Sequence, residues 1–137
     1  MTLRIAELEV GQPLPERTHR PSNVSLFLYN AAVWNAHRIH YDEPYTTKVE
    51  HHAGIVIDGP LQGDWLAQCV GNWLGEDGVL LRLHYSNRVA AYLGETLTSG
   101  GRITTVDKES RQVEVELWVR NETGEVTSPG GAMVRFH

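Results

Sequence analysis

The chain has 137 residues, 41% of them hydrophobic and 21% charged, with a formal net charge of −5 and one cysteine. That length and balance suit one globular domain, expected over residues 1–137 with a real core, and exclude disordered and fibrous classes. The net negative charge argues against a nucleic-acid partner, no apolar run approaches the ~20 residues that cross a bilayer, and the lone Cys69 cannot form an internal disulfide, so a cytoplasmic setting without membrane association is expected.

Residues 1–21 carry Gly11, Pro13, Pro15 and Pro21 and read as a short strand plus an extended arm. Ser22 or Asn23 can cap a helix to about Trp34, in which Val24, Phe27, Leu28 and Ala31 recur at intervals of three and four. From Asn35 to Asp58 the pattern gives way to an irregular, His-rich stretch broken by Pro44 and Gly54, and long irregular segments in compact domains are usually functional.

Residues 60–74 form the strongest helix candidate, with Pro60 in the first turn and Gly75 at the stop. Leu61, Trp65, Leu66, Cys69, Val70, Trp73 and Leu74 cover more than half its circumference, so the helix should be largely enclosed. Gly63 and Gly71 are expected to admit backbone from another element. Cys69 should pack as a small hydrophobe. The period then changes to two: Val79–His84, Thr96–Val106, Val113–Arg120 and Met133–Phe136 read as four strands in an antiparallel meander. The expected fold class is α+β, a sheet curled around one long central helix.

Reactive side chains concentrate in Asn35, His37, Arg38, His40, Tyr41 and Asp42, followed by His51 and His52. Histidine suits proton transfer near neutrality. The spacing of His37, His40 and His51 or His52, with or without Asp42, matches no compact zinc signature, so no metal is assigned. His51 and His52 are read as surface residues.

The run Phe27-Leu28-Tyr29-Asn30-Ala31-Ala32, continuing through Trp34-Asn35-Ala36-His37-Arg38-Ile39-His40-Tyr41-Asp42 to Tyr45, Val49-Glu50, Gly54-Ile55-Val56 and Gly59-Pro60-Leu61, resembles the MaoC-like hotdog hydratases. Within them it is closest to the branch of type-2 hydroxyacyl-thioester dehydratases and mesaconyl-CoA-type hydratases. The likeness is dense over residues 24–70 and looser at Arg88, Gly94-Glu95 and Gly101-Arg102. It implies a single hotdog fold and reversible hydration of a trans-2-enoyl-CoA thioester, with coenzyme A carried by the substrate and no separate cofactor.

The family motif places Asp five residues before its His and Asn three before it. Here His40 holds the His place, Asn35 the Asp place and His37 the Asn place. A second departure is Asp58, where relatives often carry His. The resemblance then implies His40 as general base, Asn35 orienting the water and the Gly59 amide as oxyanion donor at a helix N-terminus. His37, Asp42 and Asp58 are candidates for support, although Asp58 reads equally well as a helix cap. Trp34, Leu61 and Trp65, with Leu66 beside them, are candidates for the acyl pocket, or else core. Arg38, Lys48 and Arg88 could meet the phosphates of coenzyme A. Two alternatives stand beside this reading: a hotdog thioesterase using Asp64 on the helix, and a non-catalytic acyl-CoA-binding subunit. Because the resemblance implies sites formed where two hotdogs meet, a homodimer or a heteromer with a second hotdog chain is expected.

Overall fold

The alternation from Val113 to Val119 becomes the middle of the sheet. Val113, Val115, Leu117 and Val119 are buried along one face of this strand, while Glu116 and Arg120 between and beyond them are exposed. The computed structural model describes residues 2–137. In chain order these form β1 (Pro13–His19), α1 (Asn23–Ala32), α2 (Glu43–Lys48), α3 (Gly59–Leu74), β2 (Gly78–Tyr85), β3 (Leu97–Asp107), β4 (Gln112–Arg120) and β5 (Val126–Phe136), with 3₁₀ turns at Ile5–Glu7 and Arg38–His40. The strands pair antiparallel in the order β1-β3-β4-β5-β2. Helix α3 packs against all five of them. Leu66 and Val70 of α3 meet Leu14, Leu97, Ile103, Leu117 and Val134 of the sheet in one buried cluster. Each such side chain stabilises the fold by about 1.5–3 kcal/mol through burial.

The structure corrects the expected meander. Only β3, β4 and β5 follow one another; β2 pairs with β5, and residues 86–96 carry the chain from the β2 edge across to β3, which lies inside the opposite edge strand β1. Strand β5 also starts at Val126, earlier than the expected Met133. Its Pro129-Gly130-Gly131 run resembles a turn in sequence, yet it is paired throughout with β4. A Cβ at Gly130 would lie 2.4 Å from the His84 carbonyl oxygen, so glycine is what keeps β5 in register with β2.

Three further expectations change. The sheet covers α3 from one side, leaving Asp64, Gln68, Gly71 and Asn72 exposed and Leu61 and Trp73 half-buried. Gly63 admits a side chain, the Tyr85 ring, in place of the expected backbone, and nothing approaches Gly71. The face of α1 is inverted relative to its apolar pattern. Leu26 and Asn30 are buried, while Val24, Phe27 and Leu28 are 57–62% exposed.

Trp65 lies in the core with its indole stacked on the His19 ring, centroids 4.2 Å apart and planes 6° from parallel. His19 Nε2 also meets the buried Ser99 hydroxyl at 2.9 Å. Burial, and then the nearby Arg17 charge, push the His19 pKa down from 6.5 to about 4. The folded chain therefore binds fewer protons than the unfolded chain between those values. Stability contributed by the neutral ring is present above pH 6.5 and lost as pH falls towards 4. Urea midpoints measured at pH 7 and pH 5 should fall on acidification, and His19→Phe, which keeps a ring against Trp65, should show a smaller fall.

Candidate active site

A Schellman turn ends α1 and begins the site. The Trp34 amide bonds Ala31 O at 3.3 Å and the Asn35 amide bonds Asn30 O at 2.9 Å, with Trp34 at φ 59°. Placing a tryptophan where glycine is usual costs about 1–2 kcal/mol. The turn brings the Asn35 side chain back beside Asn30, and both reach Asp58, the residue preceding α3.

Asp58 is fully buried and makes no side-chain cap bond, so the capping role does not hold. Its Oδ1 accepts from Asn30 Nδ2 at 2.9 Å and its Oδ2 from Asn35 Nδ2 at 3.1 Å. His40 Nε2 lies 3.4 Å from Oδ2. Asn30 has no freedom to turn its amide, because the same nitrogen also donates to Leu26 O at 2.8 Å. Asn30 Oδ1 is buried without a hydrogen-bond partner among the described residues. Asn35 is held at its other end too, where its Oδ1 accepts the His37 amide at 3.1 Å.

His40 is 8% exposed and ends the 3₁₀ turn. Its Nδ1 donates to Val56 O at 2.7 Å, and since a carbonyl can only accept, this bond fixes the proton on Nδ1. With Nδ1 so committed, Nε2, which faces Asp58, is the ring nitrogen left for proton exchange. Val56 is held in turn by its own amide, which bonds Ile39 O at 2.9 Å, and by its bridge to Tyr92.

His40 lines a cleft of about 320 Å³ together with Ile39, Gly59, Gln62, Asn87 and Arg88. It also lines a second cleft, of about 300 Å³, with Val24, Phe27, Tyr41, Ile55 and Leu93. A third, largely apolar recess lies between Phe27, Ala31, Trp34, Asn35 and Tyr41. Gly59 begins α3, and its N–H has no partner among the described residues.

The other candidates are placed as follows. His37 caps the 3₁₀ turn through its own ring, which sits 5.9 Å from that of His40. Asp42 caps α2 by accepting the Tyr45 amide at 3.2 Å, and the Arg38 hydrogen bond at 2.8 Å and that amide hold its carboxyl below the usual range. Arg38 also lies over the Tyr45 ring at 4.0 Å, so it is already engaged. Arg88 is exposed at the mouth of the Gly59 cleft, bonded to Ser86 Oγ at 2.9 Å. Lys48 is exposed in the last turn of α2. Trp34 is 93% exposed beside the apolar recess, Leu61 packs against the core, and Trp65 lines none of these clefts. Asp64 is exposed and accepts from Tyr29 at 3.4 Å. Burial, and then the Asp64 charge, push that phenol up to about 12. Burial also raises the Cys69 thiol, which sits in the core. Among the described residues no three His, Cys, Asp or Glu side chains group as a metal would require. No helix is long and apolar enough to cross a membrane.

Four polar residues here escaped the sequence reading: Asn30, Gln62, Asn87 and Ser128. Asn30 sits in a helix whose apolar pattern pointed elsewhere. The other three come together only through the pairing of β2 with β5.

An antiparallel sheet curled on one long helix is the hotdog arrangement, and in this chain a histidine and a carboxylate sit beside that helix's N-terminus. The model of the hydroxyacyl-thioester dehydratase type 2 family matches residues 7–93, and the chain belongs to that family. Similar curated proteins include mesaconyl-C(4)-CoA hydratase of Chloroflexus aurantiacus, 49% identical over 45 residues, 33% of this chain and 16% of the relative. A mitochondrial hydroxyacyl-thioester dehydratase type 2 of Schizosaccharomyces pombe is 42% identical over 41 residues, 30% of this chain and 14% of the relative. These alignments span about a sixth of the relatives' length or less. Among solved structures, a MaoC-like dehydratase superposes with a TM-score of 0.90 at 24% identity, over 99% of this chain and 43% of that one. The (R)-hydratase from A. caviae involved in PHA biosynthesis gives 0.86 at 17%, over 96% and 98%. The ChsH1-ChsH2 complex from Mycobacterium tuberculosis gives 0.82 at 18%, over 94% and 98%. These structural likenesses establish the hotdog fold.

Proposed function

We propose that this chain carries the catalytic groups for reversible hydration of a trans-2-enoyl-CoA thioester to the 3-hydroxyacyl-CoA. The observation that carries this reading is the buried His40–Asp58 pair, with Nδ1 committed to Val56 O and Nε2 left as the reactive nitrogen beside the Gly59 cleft. In the hydration direction, Nε2 takes a proton from water as the water oxygen bonds to C3. The C2=C3 electron pair moves towards the thioester, placing negative charge on its oxygen, where the Gly59 N–H at the head of α3 donates. The proton on Nε2 then returns to C2, so one water is added in full. Asp58 lies 3.4 Å from Nε2 and offers the opposite charge while the ring holds that proton. Asn35 commits one amide hydrogen to Asp58 and keeps the other for the attacking water. Dehydration runs the same steps backwards.

The apolar recess of Phe27, Ala31, Trp34 and Tyr41 suits the acyl group, and Arg88 at the other cleft suits a coenzyme A phosphate. The outward apolar face of α1 also supports a second hotdog unit, in a homodimer or a heteromer, because Val24, Phe27, Leu28 and Val33 are each at least half exposed. Residues 1–137 then act as one such unit.

Purified protein incubated with crotonyl-CoA and a longer enoyl-CoA should deplete the enone absorbance, and light scattering should show more than one chain per particle. Binding of acyl-CoA without turnover would instead identify a non-catalytic subunit, with addition of a partner hotdog chain as the check.

A further inference from the structure

The Gly59 cleft holds a polar group that the reaction above does not use. Residues 85–88 run directly across the first turns of α3, with Tyr85 over Gly63 and Asn87 over Gly59. The Asn87 fit is close: a Cβ on Gly59 would lie 2.0 Å from Asn87 Nδ2. Asn87 Oδ1 accepts from Ser128 Oγ at 2.9 Å, so the amide is anchored by its oxygen, while Nδ2 has no partner among the described residues. Asn87 is itself exposed and lines the cleft with His40 and Gly59.

The anchor is buried. Ser128 is 0% and Gln62 2% exposed, and Ser128 Oγ lies 2.8 Å from the Gln62 amide, which also meets Thr127 Oγ1 at 2.7 Å. Ser128 has one proton, so it cannot donate to two oxygens. The ends of an amide are distinguished by their partners. The structure sets Gln62 Oε1 towards both hydroxyls; turning that amide so that its nitrogen faces them lets Thr127 donate to Val119 O at 3.3 Å and leaves the Ser128 proton for Asn87 Oδ1. That chain of donors runs from the core to Asn87 and leaves its N–H groups for a ligand.

We propose that Asn87 is a side-chain donor to the thioester oxygen, acting beside the Gly59 amide and held in place by Ser128. The inference rests on the enoyl-thioester reading of the cleft. Two preorganised donors of different origin would share the enolate charge, and removing one such donor typically lowers kcat by about 10²–10³.

The test uses Asn87→Ala and Asn87→Asp in the full chain, with any partner chain that activity requires. Aspartate keeps the acceptor that Ser128 holds but cannot donate when ionised. Both variants should lose about 10²-fold in kcat on crotonyl-CoA, with thermal midpoints near wild type. A second readout does not need turnover. Wild type should bind butyryl-CoA about 2–10-fold more tightly than S-butyl-CoA, the thioether that lacks the carbonyl, and both variants should shrink that ratio. If Asn87→Asp keeps wild-type kcat and the wild-type ratio, Asn87 merely supports Ser128 and the proposal is overturned. If wild type is inert on enoyl-CoA yet the ratio responds as described, hydration is wrong and the Asn87 assignment stands. Binding of neither ligand would overturn both.

Discussion

His40→Ala is expected to lower kcat for hydration by about 10²–10⁴, the range supplied by a positioned general base, with KM changed no more than a few-fold. The expectation rests on one bond. Val56 O fixes the Nδ1 proton at 2.7 Å, so Nε2 is the ring's only site for taking a proton from water. The substitution also leaves the Val56 carbonyl without its side-chain partner, at a cost of about 1–3 kcal/mol. Circular dichroism and a denaturation curve separate that loss from the loss of chemistry. Hydration at near wild-type rate in a folded variant would move the base elsewhere. His37 would be examined first, its ring being 5.9 Å from that of His40, and then Asp42. Both of those side chains are already spent on backbone amides, which is the physical reason to rank them below His40.

Much of this arrangement can be read in the sequence where local chemistry decides it. Helix α3 is bracketed by Pro60 and Gly75, and β4 by its alternation, because those signals act over a few residues. Helix α2 escaped notice because Pro44 looked like a breaker; in the first turn its missing N–H costs nothing, and Asp42 caps it. The pairing of β2 with β5 is a long-range outcome that period-two patterns do not encode, and with it went Asn87 and Ser128. Asn30 was hidden for another reason. Periodicity identifies a helix and its apolar face, but a helix beside an apolar recess can turn that face outwards and bury a polar residue against a carboxylate.

That inversion bears on how the site is completed. A face carrying Val24, Phe27 and Leu28 at 57–62% exposure is costly to leave in water, and it borders both the apolar recess and the His40 cleft. The two proposed uses are compatible, since a partner hotdog that covers α1 would also roof the apolar recess and dry the site. A drier site strengthens each donor aimed at the enolate. Oligomer formation and turnover should therefore vary together with protein concentration.

Asp58→Asn tests whether the family's His–carboxylate pair has been rebuilt with the carboxylate moved. Asn35 stands where the motif usually has Asp, yet the structure sets a buried carboxylate beside His40 from another element, at the head of α3. Asn30 and Asn35 both donate to it, so an amide at position 58 must turn its NH₂ towards one of those donors. That mismatch should cost about 1–3 kcal/mol of stability. Activity should fall further, by about 10²–10³ in kcat, because no opposite charge then faces the ring as it takes the proton. The double variant with His40→Ala distinguishes a working pair from two separate contributions. If Asp58 acts through His40, adding Asp58→Asn to His40→Ala costs little more in kcat, since groups that act as a unit are strongly non-additive. If the losses multiply, Asp58 acts independently of His40 and the rebuilt pair is refuted. Restoring aspartate at position 35 in the Asp58→Asn background extends the comparison: recovered turnover would show that either position can supply the charge His40 needs.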